Sequence, residues 1–247
     1  MTPFPSHVVA VGGVPTTYRV YVPPNVREGD AIPAILFLHG AGESGSDGLL
    51  PTKVGIGPAI LRDPERFPAL VVFPQASRGY GWRGFNLAAA VAALDDVERR
   101  HAVDRERVSV TGISMGGYGA WLAALQQPET FAAVVPVCGG LDRTTAVEMK
   151  ILPNAPLLRS LEEAATRIAP IAQWVFHGEA DDIIPVEQSR VMVRALRAAG
   201  AEVRYTEYPG VRHNSWDRAY AEPELMPWLL RQRRNVNPPP RRDDTPR

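Results

Sequence analysis

Apolar positions along the chain fall into short runs separated by glycine, proline and charged residues, and the spacing inside each run predicts its element. Residues 6–11 and 16–22 (SHVVAV, TTYRVYV) flank Gly12-Gly13 and read as a hairpin at a sheet edge, ended by Pro23-Pro24. Ala34 to His39 is apolar on both faces, as a central parallel strand covered by helices on both sides must be. Further strands are expected at Leu70–Pro74, Arg107–Thr111, Phe131–Cys138 and Trp174–Phe176, with an alternating outer strand at Val203–Tyr208. Between them lie helix patterns. One is N-capped by Asn86 and runs to about His101, after which Asp104 to Arg107 turns the chain. A second starts at Ser114, with Tyr118, Trp121, Leu122 and Leu125 as an amphipathic stripe. A third spans Gln188–Ala199 and is closed by Gly200, and a last amphipathic helix runs from Trp216 to about Leu230.

Eight strands with helices between the parallel ones predict an α/β fold: a mostly parallel eight-stranded sheet with helices on both faces. The length of 247 residues suits one such domain over 1–232. The stretch 233–247, RRNVNPPPRRDDTPR, has little to bury and is expected to be a disordered tail. Residues 141–170 are weakly patterned, with Pro153, Pro156 and Pro170, and are where a lid or extra pocket wall would come from.

Composition narrows the function classes. Lys plus Arg (27) equals Asp plus Glu (27), so no global field attracts nucleic acid or an anionic membrane. The single cysteine, Cys138, rules out an intramolecular disulfide and is expected to be a buried, inert thiol. No apolar run approaches the length of a membrane span, and the amino terminus has neither a basic start nor a long apolar core. The chain is therefore read as soluble and, as given, cytoplasmic.

The chemistry concentrates in three loops. Gly112-Ile113-Ser114-Met115-Gly116 is a G-x-S-x-G frame between strand and helix, which holds a serine at a sharp corner with its hydroxyl above the sheet. The two glycines leave room where helix and strand pass close. The amide of Met115, at the positive end of the helix dipole, is a candidate oxyanion donor. Gly40, Gly42 and Gly45 match G-x-G-x-x-G, but Ser46-Asp47-Gly48 and Pro51 break the helix that a dinucleotide site requires. The loop better suits a second oxyanion donor, assigned to Ala41, with His39 as a structural residue at the strand end. Three acids, Glu179, Asp181 and Asp182, follow the strand at 174–176, and His213 follows the last strand. Serine, acid and histidine in that chain order form the α/β-hydrolase arrangement. No metal ligand cluster and no cofactor is called for. Glu43, Trp82 and Trp216 are substrate-pocket candidates. Tyr80, Trp82 and Phe85 either line a cleft or pack beneath their loop.

The segments LFLHGAGESG, RVSVTGISMGGYGAW, FAAVVPVCGG, WVFHGEADDIIPVEQS and VRHNSWDRAY resemble the esterase and phospholipase-carboxylesterase-like branch of the α/β-hydrolase superfamily. That branch includes feruloyl- and acetyl-esterase-like proteins, polyhydroxyalkanoate depolymerase-like proteins and predicted peptidases. The resemblance, over roughly residues 30–232, implies the α/β-hydrolase fold and a serine esterase. Its H-G-x-x-D-x-x-x-P pattern maps the catalytic acid onto Asp181. Its G-H-x-S-W pattern maps onto residues 212–216, with Arg212 where a glycine is common. Dienelactone-hydrolase relatives use a cysteine nucleophile, which Ser114 argues against. The expected partner is a small-molecule ester. A peptidase or amidase of the same fold, a nucleotide-binding oxidoreductase and a non-catalytic binding protein are the alternatives.

Overall fold

Strand runs that are apolar on both faces need cover from two sides, and the chain folds as a sheet between two helical layers. The computed structural model describes residues 3–27, 29–141 and 160–234. Among these, β1 (Ser6–Val11), β2 (Val14–Tyr21), β3 (Ile32–Leu38), β4 (Leu70–Pro74), β5 (Val103–Ile113), β6 (Ala133–Val137), β7 (Ala172–Gly178) and β8 (Val203–Tyr208) form one sheet. Their order is β1-β2-β4-β3-β5-β6-β7-β8. β2 is antiparallel to both neighbours and the other pairs are parallel. This is the α/β-hydrolase fold.

Alternate residues of each strand serve opposite cores. Ala34, Leu36 and Leu38 of β3 pack with α2 (Gly84–Arg100), α3 (Met115–Gln126), α4 (Leu161–Ile168) and α5 (Glu187–Ala198). Ile35 and Phe37 pack with α1 (Ile56–Arg62), α6 (Trp216–Ala221) and α7 (Leu225–Arg231) on the other face. The five parallel strands from β3 to β8, leaving β4 aside, end in the same direction. Ser114, Cys138, Asp181 and His213 therefore gather at one rim, the carboxyl ends where α/β sheets place their sites. No helix of the described residues is long and apolar enough to cross a membrane.

Several expectations need correction. The helix at Ser114 is not amphipathic: every residue from Met115 to Leu125 is buried, because α3 lies between the sheet and neighbouring helices. Asn86 does not cap α2, which starts two residues earlier. Its amide instead ties the preceding loop, accepting from Ser77 N at 3.0 Å and donating to Gly81 O at 2.8 Å. Asp104 to Arg107 is not a turn but the first half of β5, with its charges in ion pairs such as Arg107–Asp104 at 2.6 Å. The last helix is two, α6 and α7, because Pro223 cannot continue α6. Of the proposed lid region, 142–159 lies outside the described residues, and α4 follows it. The expected tail begins with Arg233 and Arg234, which are held against β5 by Arg233–Glu106 (2.7 Å) and Arg234 N–H to Glu106 O (2.8 Å). Residues 235–247 lie outside the described residues.

Candidate active site

The corner between β5 and α3 holds Ser114 at φ 52°, in the left-handed region that side chains rarely adopt. Its neighbours permit this only because they lack side chains. A Cβ on Gly116 would lie 1.8 Å from Leu38 O, and one on Gly112 would lie 2.2 Å from Gly116 O. Ser114 N–H donates to Val137 O at 2.9 Å, which fixes the corner to β6.

Three loops converge on the serine. Ser114 Oγ is 3.0 Å from His213 Nε2. On the far side of the ring, His213 Nδ1 is 2.8 Å from Asp181 Oδ2 and 3.0 Å from Oδ1. The Asp181 side chain is wholly buried, whereas His213 keeps one edge toward solvent. Burial alone would raise the Asp181 pKa. Hydrogen bonds from His177, His213 and the amides of Ile184 and Ile183 outweigh it and hold the carboxyl well below the usual carboxylate range. Asp181 is therefore a fixed anion whose geometry orients Nδ1–H of His213 and leaves Nε2 free to accept from Ser114.

Around this line, the site offers donors for a developing negative charge. Met115 is the first residue of α3 and Ala41 the first of a short 3-10 turn, Ala41–Glu43, so both amides sit at helical N-termini, whose leading N–H groups have no partner within the helix. The 3-10 loop is close to the serine: a Cβ on Gly40 would be 3.7 Å from Ser114 Cβ. His39, wholly buried, braces that loop. Its Nε2 accepts from Ala76 N at 2.9 Å, so Nδ1 carries the hydrogen and donates to Gly40 O at 2.6 Å. Burial lowers its pKa to about 4, which keeps it neutral. Gln75 adds a second brace, donating to Glu43 O at 2.8 Å and accepting from Gly48 N at 2.6 Å.

The pocket candidates separate. Trp216 is half-buried with its ring edge-on to that of His213, centroids 5.3 Å apart. Glu43 is half-buried with Oε2 beside Gly40, on the side that faces Ser114, and burial raises its pKa. Trp82 is a correction. It is 1% exposed, donates its indole N–H to His39 O at 2.9 Å and packs on Gly119, so it is core beneath the oxyanion loop and not cleft wall. Tyr80 of the same loop and Phe85 in the first turn of α2 are 63% and 43% exposed.

Of the competing acids, Glu179 accepts from Gly210 N at 3.0 Å, and Asp182 pairs with Arg212 at the surface. Cys138 Sγ, an Asp181 oxygen and a His213 nitrogen lie within 4.8 Å of one another and would be the atoms to hold a cation. Burial pushes the Cys138 thiol up to about 12, so it stays protonated and a poor ligand, while the Asp181 and His213 atoms are engaged with each other. Two residues with roles here escaped sequence reasoning: Gln75, which carries no motif signal, and His177, which lies in the H-G-x-x-D frame four residues before Asp181.

The sequence profile of the prolyl oligopeptidase family matches residues 82–233. A solved structure of a thermostable esterase is 33% identical, with a TM-score of 0.78 over 94% of this chain and 64% of its own. An "Uncharacterized secreted protein" of Arthroderma benhamiae is 28% identical over 93% of this chain, and "Dipeptidyl peptidase family member 1" of Caenorhabditis elegans is 22% identical over 87%. This chain spans only 28% and 29% of those two relatives.

Proposed function

Because the chain belongs to the prolyl oligopeptidase family, within the α/β-hydrolase superfamily of serine hydrolases, we propose that it is a carboxylic-ester hydrolase with Ser114, His213 and Asp181 as its triad. The observation that carries this reading is the continuous line from Ser114 Oγ through the His213 ring to Asp181, at 3.0 Å and 2.8 Å. His213 takes the serine proton as Ser114 attacks the ester carbonyl. The anionic Asp181 holds the ring and stabilises the imidazolium. The amides of Ala41 and Met115 receive the oxyanion, each worth about 3 to 4 kcal/mol by analogy with other serine hydrolases. His213 then returns the proton to the departing alcohol, and water, deprotonated by the same ring, cleaves the acyl-enzyme.

Esters are favoured over peptides because the esterase, at 33% identity, is nearer in sequence than peptidase-named proteins, which range from 16% to 26%. Short-chain, aryl and carbohydrate-linked esters are the substrate classes proposed, with Glu43 and Trp216 at the pocket and residues 1–232 as the catalytic unit. The family profile keeps peptide hydrolysis as the second reading. The test is hydrolysis of p-nitrophenyl acetate, butyrate and octanoate, and of a dipeptide p-nitroanilide, by the wild type and by Ser114→Ala. Ester turnover that falls by about two to three orders of magnitude or more in the variant supports the reading. Faster anilide than ester turnover moves it to the peptidase, and full activity in Ser114→Ala sinks it.

A further inference from the structure

The strand that leads into the Asp181 loop contributes a histidine that the acyl-transfer steps leave unused. His177, wholly buried one residue before the end of β7, faces two acceptors with one nitrogen. Nε2 lies 2.9 Å from Ile184 O and 3.2 Å from Asp181 Oδ2. With only acceptors opposite, that nitrogen carries a hydrogen and donates. Nδ1 lies 2.7 Å from Ser189 Oγ in the first turn of α5, an oxygen that also lies 3.1 Å from Gly139 O. A buried imidazole that needed only to be satisfied would be content with Ile184 O and Ser189. The additional contact falls on Oδ2, the atom that receives His213 Nδ1 at 2.8 Å, while Oδ1 accepts from the amides of Ile183 and Ile184 at 2.9 Å each.

We propose that His177 is a positioning residue for the ester hydrolysis, which fixes the rotation of the Asp181 carboxylate and, by donating to Oδ2, sets the pH at which His213 becomes competent as a base. The inference rests on the triad reading above. A carboxylate shared with a second donor is a weaker acceptor toward His213; with that donor gone, the carboxylate favours the imidazolium more strongly. Ser189 acts one step further out, as the brace that aims His177. The other ionisable groups facing this cluster are Cys138 just after β6, Asp182 with its partner Arg212, and Glu207, opposite His177 on β8 and paired with Arg190 of α5.

The experiment measures kcat and KM for p-nitrophenyl acetate from about pH 5 to about pH 9 with the full chain carrying His177→Leu, His177→Gln, Ser189→Ala or Ser114→Ala. In His177→Leu, kcat is expected to fall about 10- to 100-fold with KM within about threefold, and the acid limb of kcat/KM to move up by about 0.5 to 1 pH unit. His177→Gln, whose side-chain amide can donate to Oδ2, should bring the limb back to within about 0.2 unit of wild type and recover most of kcat. Ser189→Ala should shift the limb in the same direction by less. Superimposable limbs for wild type and His177→Leu overturn the inference, as does an equal loss of kcat in Leu and Gln variants without any shift, which is what a merely structural histidine would give. If His177→Leu does not fold, an unshifted limb in Ser189→Ala overturns it. A dead Ser114→Ala with unmoved limbs in the His177 variants leaves the triad standing and removes only this inference. An active Ser114→Ala removes the triad itself.

Discussion

Ser114 stores backbone strain where its hydroxyl is presented. Residues held in such a conformation cost about 1 to 3 kcal/mol each. Glycine at 114 would relieve that strain, at an unfolded-state entropy cost of about 0.4 to 1 kcal/mol. Ser114→Gly is accordingly expected to be inactive yet more stable than Ser114→Ala by about 1 kcal/mol in urea unfolding; equal midpoints would mean the corner carries no strain. Asp181 has the opposite signature, since its carboxyl is held well below its ordinary value of 3.8 in the folded state. A depressed acid stabilises the fold above its unfolded pKa, and that contribution is lost as pH falls through the window below about pH 4. Over that window the wild type should lose up to about 1.4 kcal/mol per pH unit more steeply than Asp181→Asn, read from urea midpoints at successive pH values. Parallel slopes for the two proteins would contradict the hydrogen-bond account of Asp181.

Among elements, the loops after β7 and β8 behave as one piece. Glu179 N donates to Tyr208 O and Ala180 N to Val211 O, both at 3.0 Å, and a Cβ on Gly178 would lie 2.3 Å from Val211 O. Gly178→Ala would push these loops apart and lengthen the Asp181–His213 contact. A loss of about 2 to 3 kcal/mol in stability is expected, with kcat falling further than KM rises. Wild-type kinetics in that variant would show that the loops are not coupled to the chemistry. The strand cores were legible in the sequence because runs such as Ala34–Leu38 are apolar on both faces and admit one environment. Ser114 and His213 stood out because each lies in a local frame whose glycines or tryptophan mark the corner, whereas three acids follow β7 and only the family resemblance selected Asp181 among them. Trp82 and Asn86 were not legible, because a side chain in a loop or in the first turn of a helix is directed by partners elsewhere in the chain, His39 and Ser77 in these cases. The polar half of β5 was missed for a related reason: its charges read as a turn until Arg107 and Arg233 are brought against Asp104.

At the scale of the whole molecule, the sheet separates chemistry from attachment. Ser114 stands at the carboxyl end of β5, while Arg233 and Arg234 clasp Glu106 near its amino end, Arg234 also reaching Glu129 O. At about 3.3 Å per strand residue, the two places are about 25 Å apart, at opposite ends of the same strand. A protein tethered to a bead, an electrode or a carrier at Arg234 would therefore turn the Ser114 rim away from the support, with the length of β5 as its spacer.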